Sequence, residues 1–345
     1  MSVIKTAKLN LNFAEHAIKK IKRDFGDDVS IDAKSKDLYK FGKNSNVGNP
    51  ARSTLWYTGQ DQANETYVFR NLIDSFSSAS ASDTGIRRIE GHYVGDDISV
   101  SSLTQTSGIA TCITSTEHGG TTGDWVYISG ANESEYNGIV QITVIDSNIF
   151  TYSVSSGATS PATGTIIATN QNKTFISQEI TANGTSRVAL DRFLARATRI
   201  FVSNQNKAVD NVGENYVYEN TSISSGKPVD TTKIHLTLPA AENQSFKSST
   251  SISQYDYFII SRIAAGYPTK TGSNTADIRL EIRELGGVFR PASSSLNIST
   301  GTSDRINFEP YLIVPKNADV RLTAVSSGSS QEISGIIQGF LAKII

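Results

Sequence analysis

Cysteine, methionine, histidine and proline are all scarce here: one Cys, one Met, four His and eight Pro in 345 residues. The lone Cys112 has no partner in the chain, which excludes a disulfide framework. The histidines show no metal-ligand spacing and no HExxH or Cys/His cluster. No run approaches the roughly 20 apolar residues that span a bilayer. The opening MSVIKTAKLNLNF lacks the continuous apolar core of a secretory signal. Neither sign of charge dominates, since 32 Lys and Arg face 33 Asp and Glu, and this argues against electrostatic binding of nucleic acid over the whole molecule. Nucleophile and phosphate motifs are absent as well. There is no GxSxG, and GGTTGD has glycines without the lysine or the strand-turn-helix setting of a P-loop.

The chain is instead rich in Ser, Thr, Asn and Gly, a composition that suits β-sheet and turns, and its length suits two or three domains. Residues 1–45 stand apart. They hold ten Lys and Arg against six Asp and Glu, a net +4 that leaves the remaining 300 residues at −5. Between Asn12 and Gly26 the apolar Phe13, Ala17, Ile18, Ile21 and Phe25 recur every three to four residues, with Lys19, Lys20, Lys22 and Arg23 on the other face. The spacing predicts an amphipathic helix of about four turns, N-capped by Asn12 and stopped by Gly26. Such an arm packs on its own domain, docks into a neighbouring protein, or binds nucleic acid or an anionic surface. Phe13, Ile18, Ile21, Phe25, Lys19, Lys20 and Arg23 are its candidate partner-binding residues.

Beyond the arm, short β-branched or aromatic runs lie between turn clusters: Thr54–Tyr57, Thr66–Phe69, Ile86–Ile89, Phe175–Ile180 and Arg199–Val202. Ser75–Asp83 reads as a polar, turn-rich segment, and Ser186–Arg199 reads as a weak helix or as a loop feeding a strand. Residues 106–169 read as a separate small barrel or sandwich of five strands, inserted into a β domain made of 46–105 and 170–220. Residues 221–345 alternate most strongly, with Ile278, Leu280 and Ile282 inward against Arg279, Glu281 and Arg283 outward. About seven antiparallel strands there predict a jelly-roll-like sandwich, its apolar last strand buried at an edge or an interface. The expected fold class is mainly β: a helical arm, a β-sandwich with an inserted small module, and a C-terminal jelly-roll-like sandwich.

Little in this frame carries chemistry. His16, His92, His118 and His235 read as structural or exposed, and Cys112 as a small buried strand residue. Asp27-Asp28 and Asp96-Asp97 sit in turns. A Ca²⁺ site at Asp96 and Asp97 lacks the 12-residue EF-hand pattern, and Glu281 and Glu284 read as surface charges. Trp56, Tyr57, Tyr67 and Phe69, together with Tyr216 and Tyr218, serve either cross-strand packing or stacking on a sugar or a partner.

The stretch His118-Gly-Gly-Thr-Thr-Gly-Asp124, then Tyr136-Asn137-Gly138, then Phe150-Thr151-Tyr152, and a closing PATGTI resembles a small β module that recurs in structural proteins of tailed bacteriophages. Here Gly120 stands where an apolar residue is common. The flanks KFGKNSNVG, GIRRIEG, ADIRLEIRELGGVFR and ADVRLTA are similar to a family of virion proteins of marine tailed phages, over most of residues 40–345. The resemblance implies a non-enzymatic structural component of the virion, made in the host cytoplasm: a head accessory or decoration protein, or a tail or baseplate appendage. It implies other virion proteins as partners and no catalytic residue, cofactor or metal; a homo-oligomer with three-fold symmetry is the expectation for a jelly-roll appendage. The alternatives are a glycan-binding receptor module of a tail fibre and a polysaccharide-degrading enzyme.

Overall fold

A computed structural model describes residues 36–56, 68–203, 211–268 and 272–343. The expected arm helix, with His16 and Asp27-Asp28, lies outside the described residues, as do Tyr57 and Tyr67. Among the described residues the chain is β throughout, broken only by two single-turn 3₁₀ segments, Ser134–Tyr136 and Thr231–Lys233. Ser186–Arg199 holds the whole of one strand, Val188–Leu194, and the start of a second, Arg196–Val202, and no helix. The chain divides into two compact units, 1–59 with 246–283 and 289–345, and 60–245 with 284–288.

The first unit is a jelly roll. One sheet orders Lys36–Val47, Gln331–Lys343, Asp256–Gly266 and Ser303–Val314 side by side. The other places Asp319–Ser326 between Thr275–Arg283 on one flank and the short Ser53–Thr54 and Ser249–Ser251 on the other, with Leu296–Ser299 and Arg290–Pro291 beyond Thr275–Arg283. All pairings are antiparallel and successive strands mostly cross between the sheets. Their inward side chains form one aliphatic core that includes Leu55, Phe258, Ile260, Ile278, Leu280, Leu322 and Ile337. The sandwich is therefore not confined to 221–345. Its first strand begins at Lys36, where inward positions alternate but carry Lys40, Gly42 and Asn44, residues with no apolar signature. The last strand is central in its sheet and lies at no edge, because Lys36–Val47 supplies its second ladder.

The other unit interrupts a strand of this jelly roll. Ser53 and Thr54 pair with Ala324 and Thr323, and Ser249 to Ser251 continue the same line along Arg321 to Asp319. At the break the Leu55 amide donates to the Leu322 carbonyl, and the Leu322 amide donates to that of Ser248. The chain leaves at Trp56 and returns at Lys247, whose ammonium lies 3.7 Å from the Trp56 ring centre. Two glycines paired in the facing sheet make room for the break. A Cβ on Gly42 would lie 2.1 Å from the Leu55 carbonyl oxygen, and one on Gly335 would lie 2.7 Å from Leu55 Cδ1.

In the second unit, Thr174–Thr181, Ile86–Tyr93 and Arg196–Val202 form a three-stranded sheet. Val188–Leu194, Ile73–Ser78, Asn215–Glu219 and Ile234–Leu238 form a four-stranded one, and Ile73, Phe76, Ile89, Leu194, Ile200, Val217 and Leu236 fill a common core. Ser75–Asp83, expected as a turn, begins inside the strand Ile73–Ser78. Its hydroxyls survive burial by hydrogen bonding, as when Ser77 Oγ donates to the Gly226 carbonyl at 2.7 Å. Residues 215–219 and 234–238 sit side by side here, so the strands of 221–245 belong to this unit rather than to the C-terminal sandwich. The inserted module is a seven-stranded antiparallel sheet curled around its own core of Leu103, Cys112, Ile128, Tyr136, Phe150 and Tyr152. It starts at Ile98, earlier than residue 106, because Ile98–Thr106 pairs with both Gly164–Asn170 and Ile109–Thr114.

Candidate functional site

The residues that made the module recognisable are consumed by its fold. His118 is buried, its ring edge-on to Phe150 at 5.2 Å. The Gly120 amide donates to its Nδ1 at 3.1 Å, which fixes the proton on Nε2, and Nε2 donates to the Asp146 carbonyl at 2.9 Å. Asp124 accepts from the amide and hydroxyl of Thr121. Asn137 copies a ladder pair with its side chain, Nδ2 donating to the Ala131 carbonyl at 2.7 Å and Oδ1 accepting the Ala131 amide at 3.0 Å. Gly138 follows at φ 139°, a conformation open to glycine. Tyr136 and Tyr152 bury their rings and donate to the carbonyls of Thr159 and Tyr136. Burial pushes the Cys112 thiol up to about 12, so it is no nucleophile at neutral pH.

The other singled-out groups are likewise engaged. His235 is buried with Nε2 3.0 Å from Glu219, and that hydrogen bond holds the Glu219 carboxyl below the usual carboxylate range. Trp56, Phe69, Tyr216 and Tyr218 are buried, and Lys173 and Arg196 both lie over the Phe69 ring, at 4.1 and 4.4 Å from its centre. Glu281 is not a surface charge. It accepts from Arg321 Nε at 2.8 Å, Arg283 bonds Asp319 at 2.6 Å, and both guanidiniums stack on Phe289. The outward face at this point is covered, which strand alternation alone does not reveal. Glu284 is exposed.

One surface cleft, of about 340 Å³, lies in the second unit between the base of the module and the strand Val188–Leu194. Asp96 accepts two hydrogen bonds from Arg192, at 2.9 and 3.3 Å. Asp97 accepts one from Arg70 at 2.7 Å and one from Thr169 at 2.6 Å. Both carboxylates thus have a guanidinium partner, and a Ca²⁺ ion would have to displace it. Among the described residues no group of three His, Cys, Asp or Glu side chains is placed to hold a metal. Leu72 and Phe193 line the cleft half-exposed, Asp191 is exposed, and the Arg192 guanidinium lies over Tyr93 at 4.5 Å. Sequence reasoning singled out only Asp96 and Asp97 here. Arg70 arrives from a loop, and Asp191, Arg192 and Phe193 from the strand Val188–Leu194, and together they form no motif.

No family model and no curated protein matches the chain. Among solved structures it is similar to a chain of the infectious bursal disease virus VP2 subviral particle, at 11% identity over 91% of this chain and 74% of that chain, with a TM-score of 0.18. It is also similar to a chain of the Gx strain of that virus, at 10% identity over 92% and 72%, with a TM-score of 0.20. Likeness at this level assigns neither fold nor role. Among the described residues no helix is long and apolar enough to cross a membrane.

Proposed function

We propose that the chain is a non-enzymatic structural component of a tailed-phage virion, a head decoration protein or a tail or baseplate appendage, working through protein-protein contacts. The observation that carries this reading is the use of its polar residues. His118, Asp124, Asn137, Glu219, His235, Glu281 and Asp319 all close turns, ladders or ion pairs within the fold, so among the described residues these polar groups serve the structure. A jelly roll that carries a second unit through one split strand is an architecture for display and assembly. The segment 12–26, with its apolar Phe13, Ile18, Ile21 and Phe25 and its basic Lys19, Lys20 and Arg23, is the assembly element of this reading, and a homotrimer its unit. Deletion of residues 1–26 is expected to abolish incorporation into particles and to leave the β units folded. A truncated protein that still incorporates ends the assembly role of the segment. Density for the chain in an image reconstruction of the particle tests the whole reading.

The cleft favours a second reading, a glycan-binding site. Its pre-oriented Arg and Asp groups can meet hydroxyls while Phe193 offers an apolar face to a sugar ring. A glycan array on the wild type and on Phe193→Ala decides it: binding that the substitution leaves intact, or no binding, removes the reading.

A further inference from the structure

The four-stranded sheet of the jelly roll has two faces, and only the inner one closes the aliphatic core. On the outer face Ile259 and Ala342 are fully buried, ringed by the partly buried Tyr311, Ile313 and Phe340, with Tyr311 edge-on to Phe340 at 6.3 Å. Tyr39 and Phe41 extend this apolar surface along the first strand, at 53% and 38% exposure. An aromatic patch of this kind on a sheet face calls for a cover.

The chain itself leads to the patch. Lys36 and Asp37, where the described residues begin, pair with Leu341 and Phe340, and Phe340 in turn pairs with Ile259, which pairs with Ile313. The described chain therefore begins at the end of the sheet that carries the cluster. Nine residues lie between Gly26 and Lys36, and the ten steps from one to the other reach at most about 33 Å. Four strands span only about 14 Å. A helix over 12–26 would be about 22 Å long, and its stripe of Phe13, Ala17, Ile18, Ile21 and Phe25 is apolar, as the patch is.

We infer that residues 12–26 dock in cis, seating Phe13, Ile18, Ile21 and Phe25 on the outer face of their own sheet at Phe340, Tyr311, Ile313 and Tyr39. This deepens the assembly reading by dividing the segment. The apolar half is spent within the chain, and Lys19, Lys20 and Arg23 are what a neighbour meets. The docking itself is tested on purified protein, so its failure and that of the virion reading are distinguishable.

The test places a benzophenone amino acid at Phe340 in the full chain, prepared as an equal mixture of isotopically heavy and light protein. Irradiation is expected to join position 340 to a peptide within 12–26, with heavy joined to heavy and light to light. Mixed heavy-light pairs mean that the segment seats on a second copy and overturn docking in cis. Crosslinks elsewhere, or none, overturn the site. A second measurement keeps the reading falsifiable should the probe disturb packing. Ile21→Asp, in the segment that precedes the first strand in sequence, is expected to raise the binding of a hydrophobic dye several-fold with the β circular dichroism unchanged. Unchanged dye binding overturns the inference.

Discussion

The jelly roll and the small module solve one problem, holding an antiparallel sheet closed, with different materials. The jelly roll buries a broad aliphatic core drawn from both sheets, in which Phe258 and Tyr267 are the large aromatic side chains among the described buried residues, with Phe308 packed against it. The module has less interior to fill. Its core mixes Ala110, Ala131, Ala158, Ala168 and Cys112 with Tyr136, Phe150 and Tyr152, and it adds His118 and Asn137 as hydrogen-bonded fasteners. Small domains bury a smaller fraction of their surface, so each specific polar contact weighs more in them. The module accordingly wears its fold as a motif, and the jelly roll as a pattern that many sequences satisfy.

The largest expected effect breaks the jelly roll where it departs from its aliphatic rule. Asp319 and Arg283, with side chains 5% and 8% exposed, form a pair on which Ser251 also converges. Asp319→Ala leaves the guanidinium buried, and the loss of one partner from such a pair costs about 3–5 kcal/mol. Chemical denaturation should show the jelly roll destabilised by that amount, with hydrogen exchange in the module unchanged. A change below 1 kcal/mol would show that solvent reaches the pair.

In the module the comparable step is Asn137→Ala. It strands the amide and carbonyl of Ala131, at about 1–3 kcal/mol for an unsatisfied buried group. Exchange of the amides in Trp125–Ala131 should speed up while the strands Asp256–Gly266 and Gln331–Lys343 stay protected. Equal loosening of both regions would contradict an independently fastened module.

Legibility follows the same division. The alternation of Ile278, Leu280 and Ile282 and the turn residues of the module both point to the correct fold, because period and turn chemistry are local. The strand Lys36–Val47 was hidden, since it turns Lys40, Gly42 and Asn44 inward. A strand split between Leu55 and Ser248 has no local signature at all, and Ile73–Ser78 is masked by buried serines that hydrogen bond. The cleft was half legible, as two aspartates in a turn, because its arginines arrive from residues 70 and 192.

Acid-base chemistry sharpens the contrast further. The buried Cys112 thiol has its folded pKa raised to about 12, against about 8.5 in an unfolded chain. Its contribution is intact below pH 8.5 and is lost as pH rises toward 12, with a slope of at most about 1.4 kcal/mol per pH unit. Module stability should fall over that window, and Cys112→Ala should flatten the fall. Alkylation of the native protein at pH 8 should be slow and should track opening of the module. Fast labelling in the folded state would mean that the sheet Ile98–Thr106 and Ile109–Thr114 opens on its own.

The smallest effect belongs to the cleft, and its smallness is informative. Arg192 and Asp96 are bonded twice, as closely as many buried pairs, yet their side chains are 35% and 70% exposed. Water screens them and solvates whichever partner remains, so Asp96→Ala should change stability by about 0–0.5 kcal/mol, against the several expected at Asp319. Similar geometry with opposite burial separates the Coulombic contact from the desolvation that makes its loss costly. A loss above 2 kcal/mol at Asp96 would mean that the cleft is closed to solvent, and the glycan reading, which needs an open cleft, would fall with it.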